Sequence, residues 1–104
     1  MKETDYDLQK HIMINPISAA IHANDIVFYL EGVFDNWQCA SEFKDINHGI
    51  TVVGYDNTGD VKTFTIKNSW GSDWGENGYI RFARDDSKPN GMCGINLSAF
   101  GLEF

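Results

Sequence analysis

A chain of 104 residues holds one domain with one hydrophobic core and is too short for two. With 42% hydrophobic residues, three Trp, four Tyr and seven Phe, it has the means to bury that core, which excludes a disordered chain. The net charge of −7, with no cluster of Lys or Arg, argues against a nucleic-acid partner, and no stretch approaches the roughly 20 apolar residues of a membrane helix, so neither partner is expected.

Met1 to Ile12 is polar and acidic, unlike a signal peptide. That points to the cytosol if Met1 is the true start and nowhere if Met1 marks a truncation. Leu8, Ile12 and Met13 at helical spacing predict one short helix over Asp5 to Ile14, stopped by Pro16. Ile17 to Ala23 reads as a buried strand, Asp25 to Leu30 as a helical turn, Gly32 to Phe34 as a brief extended piece and Trp37 to Lys44 as a loop. Gly49 to Tyr55 is β-branched and apolar, and Asp56 to Asp60 has the composition of a turn. Val61 to Lys67 alternates as the returning strand of a hairpin. Gly71 to Gly78 is a glycine-rich loop, Tyr79 to Ala83 another strand and Asp85 to Gly91 a charged turn. Cys93 to Ile95 and Phe100 to Phe104 are expected to finish the sheet. The sum is an α+β chain, mainly antiparallel β.

The chemistry gathers around His48. A lone histidine at the mouth of an apolar strand is ordinarily structural. Here the predicted hairpin returns Asn68 to its neighbourhood, and an amide oxygen accepting from one ring nitrogen would fix the tautomer and leave the other nitrogen free to take a thiol proton. Trp70 could cover that bond and exclude water, or simply pack as a core aromatic. Cys39 and Cys93 could form a disulfide, stay as two thiols, or do both in part. His11, His22, His48 and the cysteines lack zinc-ligand spacing, and no phosphate-binding glycine loop is present, so no metal or other cofactor is expected. Asn96-Leu97-Ser98 is a formal glycosylation sequon whose occupancy its position makes doubtful.

Asn47-His48-Gly49-Ile50, Asn68-Ser69-Trp70-Gly71 and Trp74-Gly75-Glu76-Asn77-Gly78-Tyr79 occur in that order, and together they resemble the C-terminal half of the papain-like cysteine proteases, the family of papain and the cathepsins. Pro16 to Ile21, Gly32-Val33-Phe34 and Met92 to Ile95 extend the resemblance over essentially the whole chain. It implies the right-hand, β-barrel-like domain of the papain fold, and a disulfide between Cys39 and Cys93. It also implies His48 as general base and then acid, Asn68 as its orienter, and Trp70 as the shield of that pair on the leaving-group side. Ala20, Ile46, Gly49 and Ser98 would line the second specificity subsite, favouring bulky apolar side chains with no charge to select Arg. The carbonyl of Asn47 would receive the substrate amide. Peptide substrates, cystatin-like inhibitors and a lysosomal, vacuolar or secreted setting are implied in the same way.

Two features depart from the family pattern. Ala40 to Asn47 is somewhat long and acidic. More important, the family's nucleophilic cysteine and its oxyanion glutamine lie in a left-hand domain that has no counterpart in these 104 residues. Cys39, nine residues before His48 and at no helix start, is a poor substitute and a better disulfide partner. The chain is therefore expected to be the base-bearing half of an endopeptidase, incomplete without a Cys-bearing half in the same precursor or a second chain. A rival reading is a catalytically inactive module that binds peptides or a protease partner. Such a module has no chemical need for His48, Asn68 and Trp70 together. A β-rich structural domain with an accidental motif match is the third.

Overall fold

The computed structural model describes residues 16–85 and 87–97. In them the β-branched and apolar runs become five strands: β1 (Ile17–Ile21), β2 (Val33–Phe34), β3 (His48–Asp56), β4 (Thr63–Lys67) and β5 (Tyr79–Ala83). They form one sheet in the order β1-β3-β4-β5-β2, antiparallel except where β2 runs parallel to β5. β1 and β2 are its edges, so the domain implied as barrel-like is here an open sheet. A two-residue β2 offers too short a ladder to close it. Three 3-10 turns, Asn24–Ile26, Phe43–Asp45 and Met92–Leu97, connect or flank the strands.

Side-chain alternation decides which face is core. Phe64 lies opposite Phe82 and Ile66 opposite Ile80, and all four are at most 1% exposed. Val52, Ile21, Ile26, Met92 and Ile95 complete the same cluster. Each fully buried side chain of this size contributes roughly 1.5–3 kcal/mol relative to exposure. The β3–β4 turn is held by Asp56, whose Oδ1 accepts from the backbone N and hydroxyl of Thr58 at 2.7 and 2.6 Å. A carboxylate bonded to a backbone N–H two residues ahead is the local preference that makes Asp a turn former.

Several sequence expectations need correction. β4 begins at Thr63, two residues later than predicted, because Val61 is 42% exposed and belongs to the turn. Of Asp25 to Leu30, only the start joins the 3-10 turn Asn24–Ile26. The predicted loop around Cys39 ends in the 3-10 turn Phe43–Asp45, where Glu42 and Asp45 form a reciprocal capping box. Cys93 to Ile95 is not a strand. Cys93 and Gly94 have φ of 52° and 78°, and no pleated strand accepts two left-handed residues in succession. A Cβ on Gly94 would lie 2.8 Å from Cδ1 of Ile46, so glycine lets this segment pass directly over the approach to His48. The helix predicted over Asp5 to Ile14 and the strand predicted over Phe100 to Phe104 lie outside the described residues.

Cys39 and Cys93 are joined in a disulfide, with Cα atoms 5.1 Å apart and a sequence separation of 54. It ties the Met92–Leu97 turn to the loop that leads into β3. Closing a loop of that length stabilises the fold by about 4 kcal/mol in the chain-entropy model. Cys39→Ser should therefore lower the unfolding free energy by roughly 2–5 kcal/mol. Denaturant titration of the oxidised wild type against the variant measures it.

Candidate active site

The site sits where the core faces of β3 and β4 run out. Ile50 and Val52 point into the core from β3, and His48 continues their row; Phe64 and Ile66 do so from β4, and Asn68 follows them. Pairing of the hairpin is interrupted at Val53, where the register shifts between Val52 and Gly54. Because side chains alternate with a period of two, a one-residue bulge resets which residues share a face. It lets the Asp56–Thr63 connection at one end and the His48–Asn68 pairing at the other coexist.

His48 Nε2 lies 2.7 Å from Oδ1 of Asn68. A carbonyl oxygen can only accept, so Nε2 carries the proton and Nδ1 is the lone-pair nitrogen of the neutral ring. Asn68 is 6% exposed, and its side chain cannot flip freely because Oδ1 also accepts from the backbone N of Ser69 at 2.8 Å. Its backbone N donates to the carbonyl of Gly78 at 3.0 Å, anchoring the residue to the glycine-rich loop. The ring of Trp70 lies over the imidazole, centroid to centroid 5.0 Å at an interplanar angle of 34°. Trp70 is itself 39% exposed, covering the pair from the solvent side.

Asn47 is held from three directions. Its backbone N donates to Ile21 O at 2.9 Å, its Oδ1 accepts from Ala23 N at 2.9 Å, and its Nδ2 donates to Oδ1 of Asn24 at 3.1 Å. This is how the chain enters β3 beside the end of β1, where Ile21 pairs with His48 and Ala20 with Gly49. Ala20 and Gly49 thus meet directly, and Ile46 is half-buried one turn away against Gly94. An open groove of about 470 Å³ runs across the outer face beside them, bordered by Ser18, Gly49, Thr51, Lys67, Asn68 and Ser69 among others. It reaches Gly49 and Asn68 of the predicted site residues, but not His48, Asn47, Ala20, Ile46 or Trp70. Ser98 lies outside the described residues. Asn96 is 1% exposed and its Nδ2 donates to Pro89 O at 3.2 Å, so the sequon is closed to glycosylation in the folded chain.

Sequence reasoning missed three supports. His22 places Nδ1 2.8 Å from the carbonyl of Asp45, linking the end of β1 to the 3-10 turn before His48. Trp74 stands edge-on against Trp70, centroids 5.3 Å apart, with its Nε1 shared between the carbonyls of Ile26 and Val27. Glu76 takes Nε of Arg81 on one oxygen and Nη2 on the other, both at 2.9 Å, and accepts from Gly32 N at 3.0 Å. The spacing of Glu76 and Arg81 across a glycine turn at the start of a strand was the available signal. No group of three or more potential metal ligands comes together among the described residues.

The fold and this arrangement define a class: an α+β domain of the papain fold that presents an imidazole oriented by a buried amide beneath an indole. The family described as "Papain family cysteine protease" matches residues 1–101, and the chain belongs to it. Vignain from Ricinus communis is 46% identical over 95 residues, covering 88% of this chain and 25% of that protein. The KDEL-tailed cysteine endopeptidase CEP2 of Arabidopsis thaliana is 43% identical over 94 residues, with 88% and 25% covered. Among solved structures, the bromelain protease from Ananas comosus in complex with the E64 inhibitor superposes with a TM-score of 0.84 at 36% identity, over 94% of this chain and 45% of that one. The chain thus spans about a quarter of the length of these curated relatives and is a papain-like cysteine-peptidase domain.

The Arg81 guanidinium, followed by the Gly32 N–H, holds the Glu76 carboxyl down from 4.5 to about 2. A depressed carboxyl stabilises the fold fully above its unfolded value and loses that contribution as pH falls through the folded one. The stability gap between wild type and Glu76→Gln should therefore be constant above pH 4.5 and close as pH approaches about 2. Urea unfolding at stepped pH checks it; a gap that widens in acid would contradict the assignment.

Proposed function

We propose that this domain supplies the general base of a Cys-His-Asn endopeptidase whose nucleophile stands on a separate half. The observation that carries the proposal is the 2.7 Å bond from His48 Nε2 to Asn68 Oδ1, which leaves the lone pair of Nδ1 pointing away from Asn68. A thiol placed there gives its proton to Nδ1. The thiolate attacks the peptide carbonyl, and His48 then protonates the leaving amine and later deprotonates the hydrolytic water. Asn68 is a neutral orienter, which suits an imidazolium already balanced by a thiolate. Trp70 borders the leaving-group side and keeps water from the His48–Asn68 bond.

Nδ2 of Asn68 is buried and has no hydrogen-bond partner among the described residues, so the amide is held through its oxygen, which accepts from both His48 and Ser69. The paired Ala20 and Gly49, with Ile46 near, offer small walls suited to a bulky apolar side chain at the second subsite, and the Asn47 carbonyl is proposed to receive the substrate amide. The disulfide speaks for an oxidising, vacuolar or secreted setting, as does a relative named for its KDEL tail. An inactive peptide-binding module would have no use for an oriented, shielded imidazole.

The direct test is the mass of the natural protein, captured from its source with an antibody to this chain under non-reducing conditions. A species of about twice this mass or more, carrying a reactive thiol, is expected for an enzyme with papain's two halves; a lone 11.7 kDa species overturns the proposal. In the joined enzyme, His48→Ala should lower kcat by roughly 10²–10⁴-fold, the usual contribution of general acid–base catalysis. Asn68→Ala should cost less, because the base survives and only its orientation is lost.

A further inference from the structure

A continuous series of contacts links the Glu76 loop to the ring of His48. Arg81 grips both oxygens of Glu76 at 2.9 Å, and Oε2 also accepts from Gly32 N at 3.0 Å. The hydroxyl of Tyr29 donates to the carbonyl of Gly32, so that residue is held at both its N–H and its C=O. The Tyr29 ring packs on Trp74 at 5.5 Å, Trp74 stands edge-on to Trp70 at 5.3 Å and 84°, and Trp70 lies 5.0 Å over His48. The loop between them has no slack. Gly75 has φ of 59°, and a Cβ there would meet Tyr79 O at 2.6 Å and the Tyr29 ring at 3.0 Å. Asn77, on the other side of Glu76, is left-handed too, with φ of 57°.

We propose that Glu76 and Arg81 are positioning residues for the His48 imidazole. The ion pair fixes the Gly32–Tyr29 turn, and through Tyr29 and the two tryptophans it sets the plane against which the histidine ring rests. Solvent discounts what the pair adds to stability, since its side chains are 42% and 31% exposed. Yet one carboxylate collects a bidentate guanidinium and a backbone N–H, a geometry that fixes direction as well as charge. Asn68 fixes one nitrogen of His48 but leaves the ring free to swing about that bond; the aromatic series removes that freedom.

The inference rests on His48 as the base, but its readout is the placement of the ring and not turnover, so either can fail while the other stands. Glu76→Gln and Arg81→Lys would be made in the full chain, and the carbon-bound ring protons of His48 followed by NMR across a complete pH titration, which separates protonation from placement. The near-UV circular dichroism of the tryptophans would be read in parallel. Phe82→Leu, a core change next to Arg81 that touches this route only through Phe34, two residues past Gly32, serves as the comparison for simple loosening. Both charge-pair variants should lose most of the upfield ring-current shift that Trp70 imposes on His48, together with tryptophan dichroism, while Phe82→Leu lowers the melting temperature and leaves the His48 shifts in place. Should Glu76→Gln fail to fold, Arg81→Lys, which keeps both charges and loses only the bidentate geometry, decides alone. Unmoved His48 signals in the folded charge-pair variants overturn the proposal, as does a Phe82→Leu variant that moves them equally far.

Discussion

The β3–β4 hairpin and its bulge at Val53 are the constraint from which the site follows. Two strands of an antiparallel pair bring their free ends together only in one register, and a slip by one residue turns every side chain to the opposite face. Here the far end carries His48 on one strand and Asn68 just past the other, both in rows that have just finished supplying the core. The same ladder that buries Val52, Phe64 and Ile66 therefore delivers an imidazole and a carboxamide to hydrogen-bonding distance. Packing of the core and geometry of the site are one piece of physics, and the site inherits the rigidity of a sheet and not of a loop.

What the hairpin cannot supply is everything that surrounds the pair. Loops do that work, and they are held by contacts between residues far apart in sequence. Asn47 is fixed to the end of β1 through Ala23 and Asn24, His22 reaches Asp45, and the disulfide draws Met92–Leu97 over Ile46. On the other side Trp74 is hung from the carbonyls of Ile26 and Val27. The disulfide apart, each is a polar contact that costs little to form because both partners are already at the rim of a packed core. Together they account for how two edge loops without long helices can hold an aromatic lid over a histidine.

The strands were legible because periodicity reports directly on which face is buried, and the runs from Ile17, Gly49, Val61 and Tyr79 needed no tertiary information to be read. The His48–Asn68 pairing was legible for the same reason: a hairpin implies proximity of its ends. Where the reading failed, tertiary context had overruled local pattern. Cys93 to Ile95 looks apolar and extended, but a disulfide and the passage over Ile46 force two left-handed residues into it. Val61 continues the alternation of β4, yet it faces solvent beyond the last ladder pair. The Glu76–Arg81 clamp and the hydrogen bond from His22 to the Asp45 carbonyl leave no periodic signature, because their meaning depends on Gly32 and Asp45 arriving from elsewhere. Ala20 and Gly49 do meet across the β1–β3 ladder, as their strands' patterns imply, whereas the groove beside them follows the outer face toward Lys67 and Ser69.

On the proposed reading of His48 as a base, its setting has a consequence for a two-part enzyme. An imidazole that waits for a thiol from another half cannot rely on that half for its own orientation, or the site would have to be assembled and aligned in a single step. Asn68, Trp70 and the loops behind them fix the ring using contacts internal to this chain, so that in the proposed enzyme docking would need only to deliver the sulfur to Nδ1. That is pre-organisation in its ordinary energetic sense: the entropy of fixing the ring is spent on folding and is not charged again to the transition state. An orienter without charge fits the same logic. A carboxylate at position 68 would draw protonation to the ring before any thiolate was present, whereas the Asn68 amide holds direction and leaves the charge to be set by the partner thiol.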